Sequence, residues 1–450
     1  MPLLSLALSL ALVAPGAAPA DPAAAEFAAA VAELERERTD PRAIVLLARI
    51  HELEPTLADA SKAARAYEAV ADDPRAHAEV RALARWRLAG VERARGNLRK
   101  AEAELAKLGF VRRWWVAGPF DNEGRRGLEN AFPPEAGLDL GARFPGKARE
   151  VGWRALPPEA QARGVLALGS AVRPAREVTV YALAVVDSPR EQRVLLWLGA
   201  SGAFRAWVNG TEVLASNVYH PARLDQAGVE VTLRRGANRL LVKLCHDQGE
   251  LLLLARLADR GGRALPLRTA ALPPLPPLPS GPAPRPVRLT SLVETLEKRA
   301  ASASGEAEGR ARMDLAVALA EKRSADAGDH RPAREARRAA ELLPASARAQ
   351  LLAALLEDED VNRARERAEA ALAADPGATA ASLALAEYQG RRGRPQAAIR
   401  ILEPLAAASP RYVAARAALA QAWEQTGLPA RGALEMLRLG AEMPDVPLAV

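Results

Sequence analysis

The sequence has very little cysteine, with a single one, Cys245, in 450 residues. One cysteine excludes a disulfide within the chain, so the folded protein must be held together by packing alone. Cys245 is followed directly by His246 and Asp247, which completes the residue types of a thiol-based catalytic triad. Neighbours on a strand point to opposite faces, whereas a working triad converges from separate elements. We therefore interpret these residues as a buried strand cysteine and an edge histidine, and we expect no catalytic residues.

Histidine and aromatic residues are also scarce. The five histidines, at positions 51, 77, 220, 246 and 330, lack the i,i+4 pairing of a zinc-binding helix. The acidic segment 121–124 (DNEG) has no further spaced carboxylates nearby, which favours a turn over a calcium site. We expect neither a metal nor a cofactor. Aromatic residues make up only 4% of the chain and its charges alternate in sign, so we also expect no nucleic-acid partner.

Positive charge is absent from the first twenty residues, MPLLSLALSLALVAPGAAPA, which form an apolar run. The run ends in Ala18-Pro19-Ala20, a match to the small-x-small cleavage pattern of a secretory signal, although such signals normally begin with a basic residue. It is short and interrupted by Pro15, so we expect no integral membrane span in the mature chain. The pattern predicts a signal peptide over 1–20 and an exported protein, with a buried N-terminal helix as the alternative.

A repeat of about 34 residues dominates the C-terminal third. Its prolines stand 32, 34 and 34 residues apart, and the residues between them recur in phase. The positions that define the repeat are Pro344, Pro376, Leu385, Ala386, Gly393, Ala398, Leu402, Pro410, Leu419, Ala420, Gly427, Gly432, Met436 and Pro444. The same spacing recurs upstream at Leu88, Ala89, Gly96, Ala101 and Leu105. Thirty-four residues is the period of a tetratricopeptide repeat, a pair of antiparallel helices.

The residue types fit that unit physically. Small residues such as Ala386 and Ala398 allow two helices to cross closely, and Gly393 and Gly427 fit the turn between them, where a positive φ is cheap for glycine. At these positions the chain resembles the tetratricopeptide-repeat family, with a departure at Gln389, where the consensus has an aromatic residue. The spacing predicts about four units in 311–444 and one or two in 41–108.

The middle of the chain has a different texture. Short runs such as 177–186 (EVTVYALAVV) lie between Gly, Pro and Asp turns, which predicts an antiparallel β-sandwich. Asn209-Gly210 between two such runs predicts a hairpin with a type I′ turn. The segments AFRAWVNGTEV and LRRGANRLLVKL resemble the galactose-binding-like jelly roll of many secreted proteins.

A second resemblance rests on WWVAGPFDN at 114–122, FPPE at 132–135 and VGW at 151–153. These segments resemble the entry to the sandwich in secreted bacterial proteins that join tetratricopeptide repeats, a jelly roll, more repeats and a downstream transglutaminase-like domain. The resemblance implies an exported bacterial chain, periplasmic or extracellular, without the catalytic portion. Sandwiches of this kind can bind sugars through exposed aromatic and planar polar groups. The candidates for such a site are Trp114, Trp115, Trp153, Tyr219 and His220.

Residues 273–286 contain eight prolines in fourteen positions, which predicts an extended polyproline II spacer that holds the sandwich and the C-terminal array apart. The predicted fold is multidomain, with α-helical tetratricopeptide-repeat solenoids flanking an antiparallel β-sandwich. Its parts are a signal peptide (1–20), a helical region (21–109), the sandwich (110–268), a proline-rich linker (269–288) and the repeat array (289–450). The expected function is a non-catalytic scaffold that binds a protein or peptide in the groove of the repeats. A carbohydrate-binding accessory module and the regulatory part of a transglutaminase-like enzyme are the alternatives.

Overall fold

The computed structural model describes residues 22–54, 59–269, 275, 284–322, 330–357 and 359–442. The predicted signal peptide, most of the proline-rich linker and Pro444 lie outside these residues. The described part of the chain runs from helices into β-sheets and back to helices, so the predicted fold class is confirmed. None of the helices in the described ranges combines the length and apolar character needed to cross a bilayer.

Within the described residues, five helices precede the sheets. They are α1 (Pro22–Glu37), α2 (Ala43–Leu53), α3 (Ser61–Asp72), α4 (Ala78–Ala94) and α5 (Leu98–Ala106). Along α3 the buried residues Ala63, Tyr67, Val70 and Ala71 recur at the three- and four-residue spacing of one helix face. That face packs against α4, as expected for an antiparallel helix pair.

The middle region is a sandwich of two antiparallel sheets. Its longer strands are β1 (Trp115–Asp121), β6 (Val178–Ser188), β7 (Gln192–Ala200), β8 (Ala203–Val208), β9 (Thr211–Ser216), β10 (Ala227–Leu233), β11 (Gly236–His246) and β12 (Leu252–Ala258). Shorter elements are β2 (Arg143–Pro145), β3 (Glu150–Gly152), β4 (Arg154–Ala155), β5 (Val165–Ala167), β13 (Arg268–Thr269), β14 (Val287–Arg288), α6 (Pro133–Ala136) and α7 (Leu168–Ala171). One sheet has the order β4-β1-β6-β11-β8-β9, with β13 also on β6, and the other has the order β14-β10-β7-β12-β5.

Both faces of the first sheet are covered. Alternate residues of β6, including Val180 and Ala182, join the core between the two sheets. The residues between them, including Tyr181 and Leu183, pack in a second cluster against side chains from 115–153. This is why the β6 sequence is apolar throughout instead of alternating. In the β8–β9 hairpin, Asn209 and Gly210 have φ values of 52° and 83°, as the predicted type I′ turn requires.

The C-terminal helices form successive pairs after an initial helix. They are α8 (Leu292–Ser302), α9 (Gly305–Lys322), α10 (Arg331–Leu342), α11 (Ala347–Leu356), α12 (Val361–Ala374), α13 (Thr379–Arg391), α14 (Pro395–Ala408), α15 (Val413–Gln425) and α16 (Pro429–Glu442). Gly393 and Gly427 adopt positive φ in the turns of the last two pairs. A Cβ on Gly432 would lie 2.7 Å from the Ala420 carbonyl oxygen, so the close helix crossing predicted there is present.

The other repeat-defining residues also lie where helices meet or end. Ala386, Ala398, Leu402 and Leu419 belong to one buried cluster with Trp423. Met436 packs against a smaller cluster in the last pair, and Leu385 is half-buried. Pro410 follows the end of α14.

The two helical regions share one hydrophobic core. Residues of α1–α4, such as Leu46 and Tyr67, pack in the same cluster as Leu296 of α8 and Leu315 and Leu319 of α9. The expectation that the sandwich and the C-terminal array are held apart is therefore wrong. The helices before and after the sandwich are continuous in space, and the sandwich is inserted between two adjoining helix layers.

A buried lysine fastens the inserted sandwich to both helical regions. Lys322 at the end of α9 lies 2.9 Å from the Glu79 carboxylate of α4. The Lys322 ammonium also donates to the backbone carbonyls of Leu224 (3.3 Å) and Asp225 (3.1 Å) in the sandwich. Direct contacts, and not a proline spacer, therefore set the distance between these parts.

Candidate functional site: the inner face of the helical repeats

The first helix of each repeat pair lies on the inner side of the array. Helix α11 contacts α13, and α13 contacts α15, in addition to the contacts that each makes with its own partner. Helices that touch across successive repeats lie on the concave side of a curved solenoid. Since α2 packs against α9, the N-terminal helices extend this inner face.

Three adjoining cavities follow the inner face. The largest, which we call the junction cavity, has a volume of about 760 Å³ and lies between α2, α4, α9, α11 and the sandwich. A narrow neck of about 30 Å³ shares Glu52, Val317 and Leu352 with it. The third, which we call the arginine pocket, has about 380 Å³ and shares Arg49, Arg348 and Leu351 with the neck. The shared walls make the three cavities one continuous groove.

The walls of the junction cavity come from distant parts of the sequence. Leu83 and Trp86 of α4 face it from one side, and Leu352 and Leu356 of α11 from another. The sandwich closes the end of the groove with an apolar surface formed by Val165, Leu224, Leu252 and Leu254. Part of that surface also packs against α4 and α5, where Trp86 meets Phe110 edge to face at 5.5 Å. The insertion of the sandwich is thus what creates the cavity.

The charged groups at the edge of the junction cavity have partners within the protein. Arg87 forms a 2.7 Å ion pair with Glu321 and donates to the backbone carbonyl of Leu47. The Glu54 carboxylate accepts from the Tyr67 hydroxyl at 3.0 Å, and burial together with this negative charge raises the pKa of Tyr67 well above its ordinary value. The other side chains that line the cavity are apolar.

The arginine pocket differs because one of its cations has no hydrogen-bond or ion-pair partner among the described residues. Arg49 pairs with Glu26 of α1 and, at 3.2 Å, with Glu52. Arg348, half-buried at the start of α11, makes no hydrogen bond or ion pair with any residue that the structure describes. Desolvation, followed by the positive charge of Arg49, lowers the pKa of Arg348 from its usual value. The guanidinium stays charged at neutral pH and lines both the neck and the arginine pocket.

The predicted sugar-binding residues do not form a common surface. Trp114 is buried between the sheets, and its indole N–H donates to the Val111 carbonyl at 2.8 Å. Trp115 and Trp153 belong to the cluster on the outer face of the first sheet. Tyr219 is buried with Cys245, and His220 is buried beside Gln226 with its Nδ1 3.0 Å from the amide nitrogen. Each aromatic side chain is thus used in packing, in three different clusters.

Cys245, His246 and Asp247 have separate surroundings, as expected for a strand. The Cys245 thiol contacts the Thr179 hydroxyl at 3.6 Å, and burial raises its pKa to about 11. His246 Nδ1 lies 2.7 Å from the Ser201 carbonyl oxygen, and Asp247 pairs with Arg125 at 3.1 Å. The structure therefore does not assemble the three into a proton relay.

The acidic turn at 121–124 is neutralised by a lysine. The Lys147 ammonium lies 3.2 Å from the Asp121 carboxylate and 3.3 Å from that of Glu123. It also donates to the backbone carbonyl of Glu177 at 2.8 Å. Within the described ranges, no three acidic, histidine or cysteine side chains are grouped so as to hold a metal ion.

Comparisons with known proteins concern the helical repeats. No protein-family profile matches the chain, and no curated protein matches it. Among solved structures, MamA is similar over 34% of this chain and 86% of its own, at 14% identity and a TM-score of 0.30. A kinesin light chain of Podosopora anserina, with nearly identical TPR-like repeats, is similar over 34% of this chain and 85% of its own, at 18% identity and a TM-score of 0.30. The helical repeats of this chain are identified from its own geometry. The helices pack in pairs, glycines with positive φ lie in the turns, and two helices cross closely at Gly432.

Proposed function

We propose that this chain is a non-catalytic scaffold that binds a protein or peptide segment in its inner groove. The observation that carries the proposal is the groove itself, which is continuous, open and lined by apolar side chains. Leu355 of α11 illustrates it, because its side chain is 52% exposed and lines the groove beside Val45 and Val317. A bound segment that covers such side chains gains the free energy of burying them, roughly 25 cal/mol per Å².

In this proposal the sandwich is a galactose-binding-like jelly roll that serves as a wall of the groove. Its strands β5 and β12 supply apolar side chains to the junction cavity. The positions of the five candidate aromatic and histidine residues give no support to carbohydrate binding. No contact among the described residues favours a regulatory role in a transglutaminase-like enzyme over the scaffold.

We also propose that the protein acts after export from a bacterial cell, in the periplasm or outside. The support is the apolar run over 1–20 and its Ala-Pro-Ala ending. N-terminal sequencing of the mature protein tests this. A start close after Ala20 is expected, whereas a mature chain that begins at Met1 would contradict export by this route.

Site-specific photo-crosslinking in the native host tests groove binding. A benzophenone amino acid at Leu355 should form covalent adducts with a partner, because the side chain faces the groove. The matched control is Leu98 at the start of α5, which has the same 52% exposure and lines none of the three cavities. Adducts at Leu98 but not at Leu355, or none at either position, would contradict the proposal.

Point substitution is a better test here than truncation. Removing residues 311–450 would take Leu315, Ala318 and Leu319 out of the core shared with the N-terminal helices. The remaining chain would expose that core and could bind other proteins non-specifically. A loss or gain of binding in such a truncation would therefore not report on the groove.

A further inference from the structure

Two adjoining parts of the groove differ in chemistry, and together they specify what it binds. The junction cavity is walled by large apolar side chains, among them Trp86, Leu252, Leu254 and Leu356. The arginine pocket contains Arg348, a half-buried cation with no partner among the described residues. The neck between them is lined by residues of both.

The junction cavity suits a bulky apolar group. Its volume of about 760 Å³ is within the range of cavities that hold compact organic ligands and large side chains. The charges at its edge are already used in pairs such as Arg87–Glu321 and Lys322–Glu79. A charged group placed inside would lose its hydration without finding a free counter-ion, so an aromatic or large aliphatic group is favoured.

The arginine pocket suits an acidic group. Its carboxylates are engaged, since Glu26 pairs with Arg49 and an Asp375 oxygen accepts from the Gly377 backbone N–H at 2.9 Å. After desolvation, the positive charges of Arg49 and Arg42 lower the pKa of Arg348 further, and the negative charges of Glu33 and Asp314 offset them only in part. An arriving carboxylate would relieve this repulsion and give the guanidinium a partner, whereas a basic group would add to the repulsion.

We infer that the groove selects a peptide segment that carries a bulky apolar side chain close to an acidic residue. The apolar side chain enters the junction cavity, and the acidic group binds Arg348. This inference rests on the proposed function, because it names the chemistry of the segment that the groove would bind. The sandwich forms one end of the groove, so the apolar side chain of the segment binds at that end.

Selection from a random-peptide phage library on the immobilised full chain tests the inference. Enrichment of peptides with Trp, Phe, Tyr or Leu near Asp or Glu is the expected result. Enrichment of peptides without this combination would overturn the inference and leave groove binding intact. If the full chain retains no peptide, the proposed function fails as well.

Substitutions test whether the selected peptide binds in the groove. Gly90 of α4 lines the junction cavity, and a Cβ built on it has no atom within 4 Å, so Gly90→Phe should fill the cavity without a clash. We expect it to weaken binding at least about tenfold. Gly390, near the end of α13, has equally open surroundings but does not line the cavity, so Gly390→Phe is the matched control and should bind normally.

A charge substitution provides a second test that does not depend on filling the cavity. Arg348→Gln should weaken binding of the acidic peptide about three- to tenfold, and added salt should reduce the difference. Arg400, exposed on α14, is the matched control, and Arg400→Gln should have no effect. Unchanged affinity in both Gly90→Phe and Arg348→Gln, with normal circular dichroism, would overturn the inference.

Discussion

The two ends of the helical solenoid are packed in different ways. At the N-terminal end, α1–α4 and α8–α9 share one large core with branched and aromatic side chains such as Ile44, Leu47 and Tyr67. At the C-terminal end, α10–α16 are held by several small clusters, each confined to neighbouring helices and most of them rich in alanine. Exposed leucines such as Leu434 and Leu437 lie on α16.

This difference predicts which helices unfold together. In a linear array of repeats, stability is the sum of local terms, and the last units open without the rest. A single core that joins residues more than 200 positions apart must instead open as a whole. We therefore expect a cooperative body formed by the N-terminal helices, α8, α9 and the sandwich, and a C-terminal array that opens locally.

Breaking the buried contact at Lys322 should have the largest effect. Lys322→Met would leave Glu79, which is 1% exposed, without its counter-ion, and two sandwich carbonyls without their donor. Removing one partner of a buried ion pair costs about 3–5 kcal/mol in the free energy of unfolding. The main transition in a urea titration should shift accordingly.

The control for that substitution lies on the same helix. Arg310 of α9 forms an exposed pair with Glu306 at 3.2 Å. Arg310→Met should change the unfolding free energy by less than about 1 kcal/mol. Equal effects of the two substitutions would show that Lys322 does not join the sandwich to the helices.

A pair of leucine substitutions compares the two ends directly. Leu46→Ala in the shared core and Leu402→Ala in the C-terminal cluster each remove a side chain that is at most 1% exposed. Each should lower the free energy of unfolding of the region that contains it by about 2–5 kcal/mol. Leu46→Ala should lower the main unfolding transition, whereas Leu402→Ala should speed hydrogen exchange in α13–α16 only. A lowered main transition in Leu402→Ala would contradict the division into two bodies.

The pH dependence of unfolding tests whether the sandwich belongs to the cooperative body. Burial raises the pKa of Cys245 to about 11, above roughly 8.5 for an exposed thiol. The unfolded chain therefore loses this proton first as the pH rises, and stability falls between pH 8.5 and 11. The full loss in the free energy of unfolding over this interval is about 3 kcal/mol.

Other groups titrate over the same pH interval, so the comparison is between the wild-type chain and Cys245→Ala. The substitution should make the fall in stability shallower in the main transition. An identical pH slope in the two proteins would show that the sandwich unfolds in a separate step, or that the thiol is in contact with water.

The smallest effects should come from the two open glycines. Gly90→Ala in α4 and Gly390→Ala in α13 each place a methyl group where no atom lies within 4 Å. Each should stabilise its helix by about 0.5–1 kcal/mol. The gain should appear in the melting temperature for Gly90→Ala and only in the local exchange of α13 for Gly390→Ala.

The sequence predicts the local features of this fold well, because they depend on neighbouring residues. Proline and glycine mark the turns at Gly393 and Gly427, and Asn209-Gly210 marks a hairpin. The shared core was not predictable in the same way, because nothing in one sequence states that Leu46 and Leu315 are in contact. The expected separation by a proline-rich spacer was wrong for that reason.

The groove, too, could be predicted only in part from the sequence. The repeat pattern predicts an inner face, but not that Trp86, Leu254 and Leu356 surround one cavity, since they come from three distant elements. The proposed sugar site rested on residue type alone. Trp153 and its neighbours were candidates for exposure, but the outer face of the first sheet is itself covered. Residue type does not reveal that both faces of a sheet are buried.

Hydrogen exchange measured by mass spectrometry on the intact chain tests the central claim most directly. If the solenoid is continuous through α8 and α9, these two helices should be protected to the same extent as α2–α4, and all should lose protection together as urea is added. Helices α13–α16 should exchange earlier. Exchange of α8 and α9 in step with α13–α16, while α2–α4 stay protected, would contradict the account.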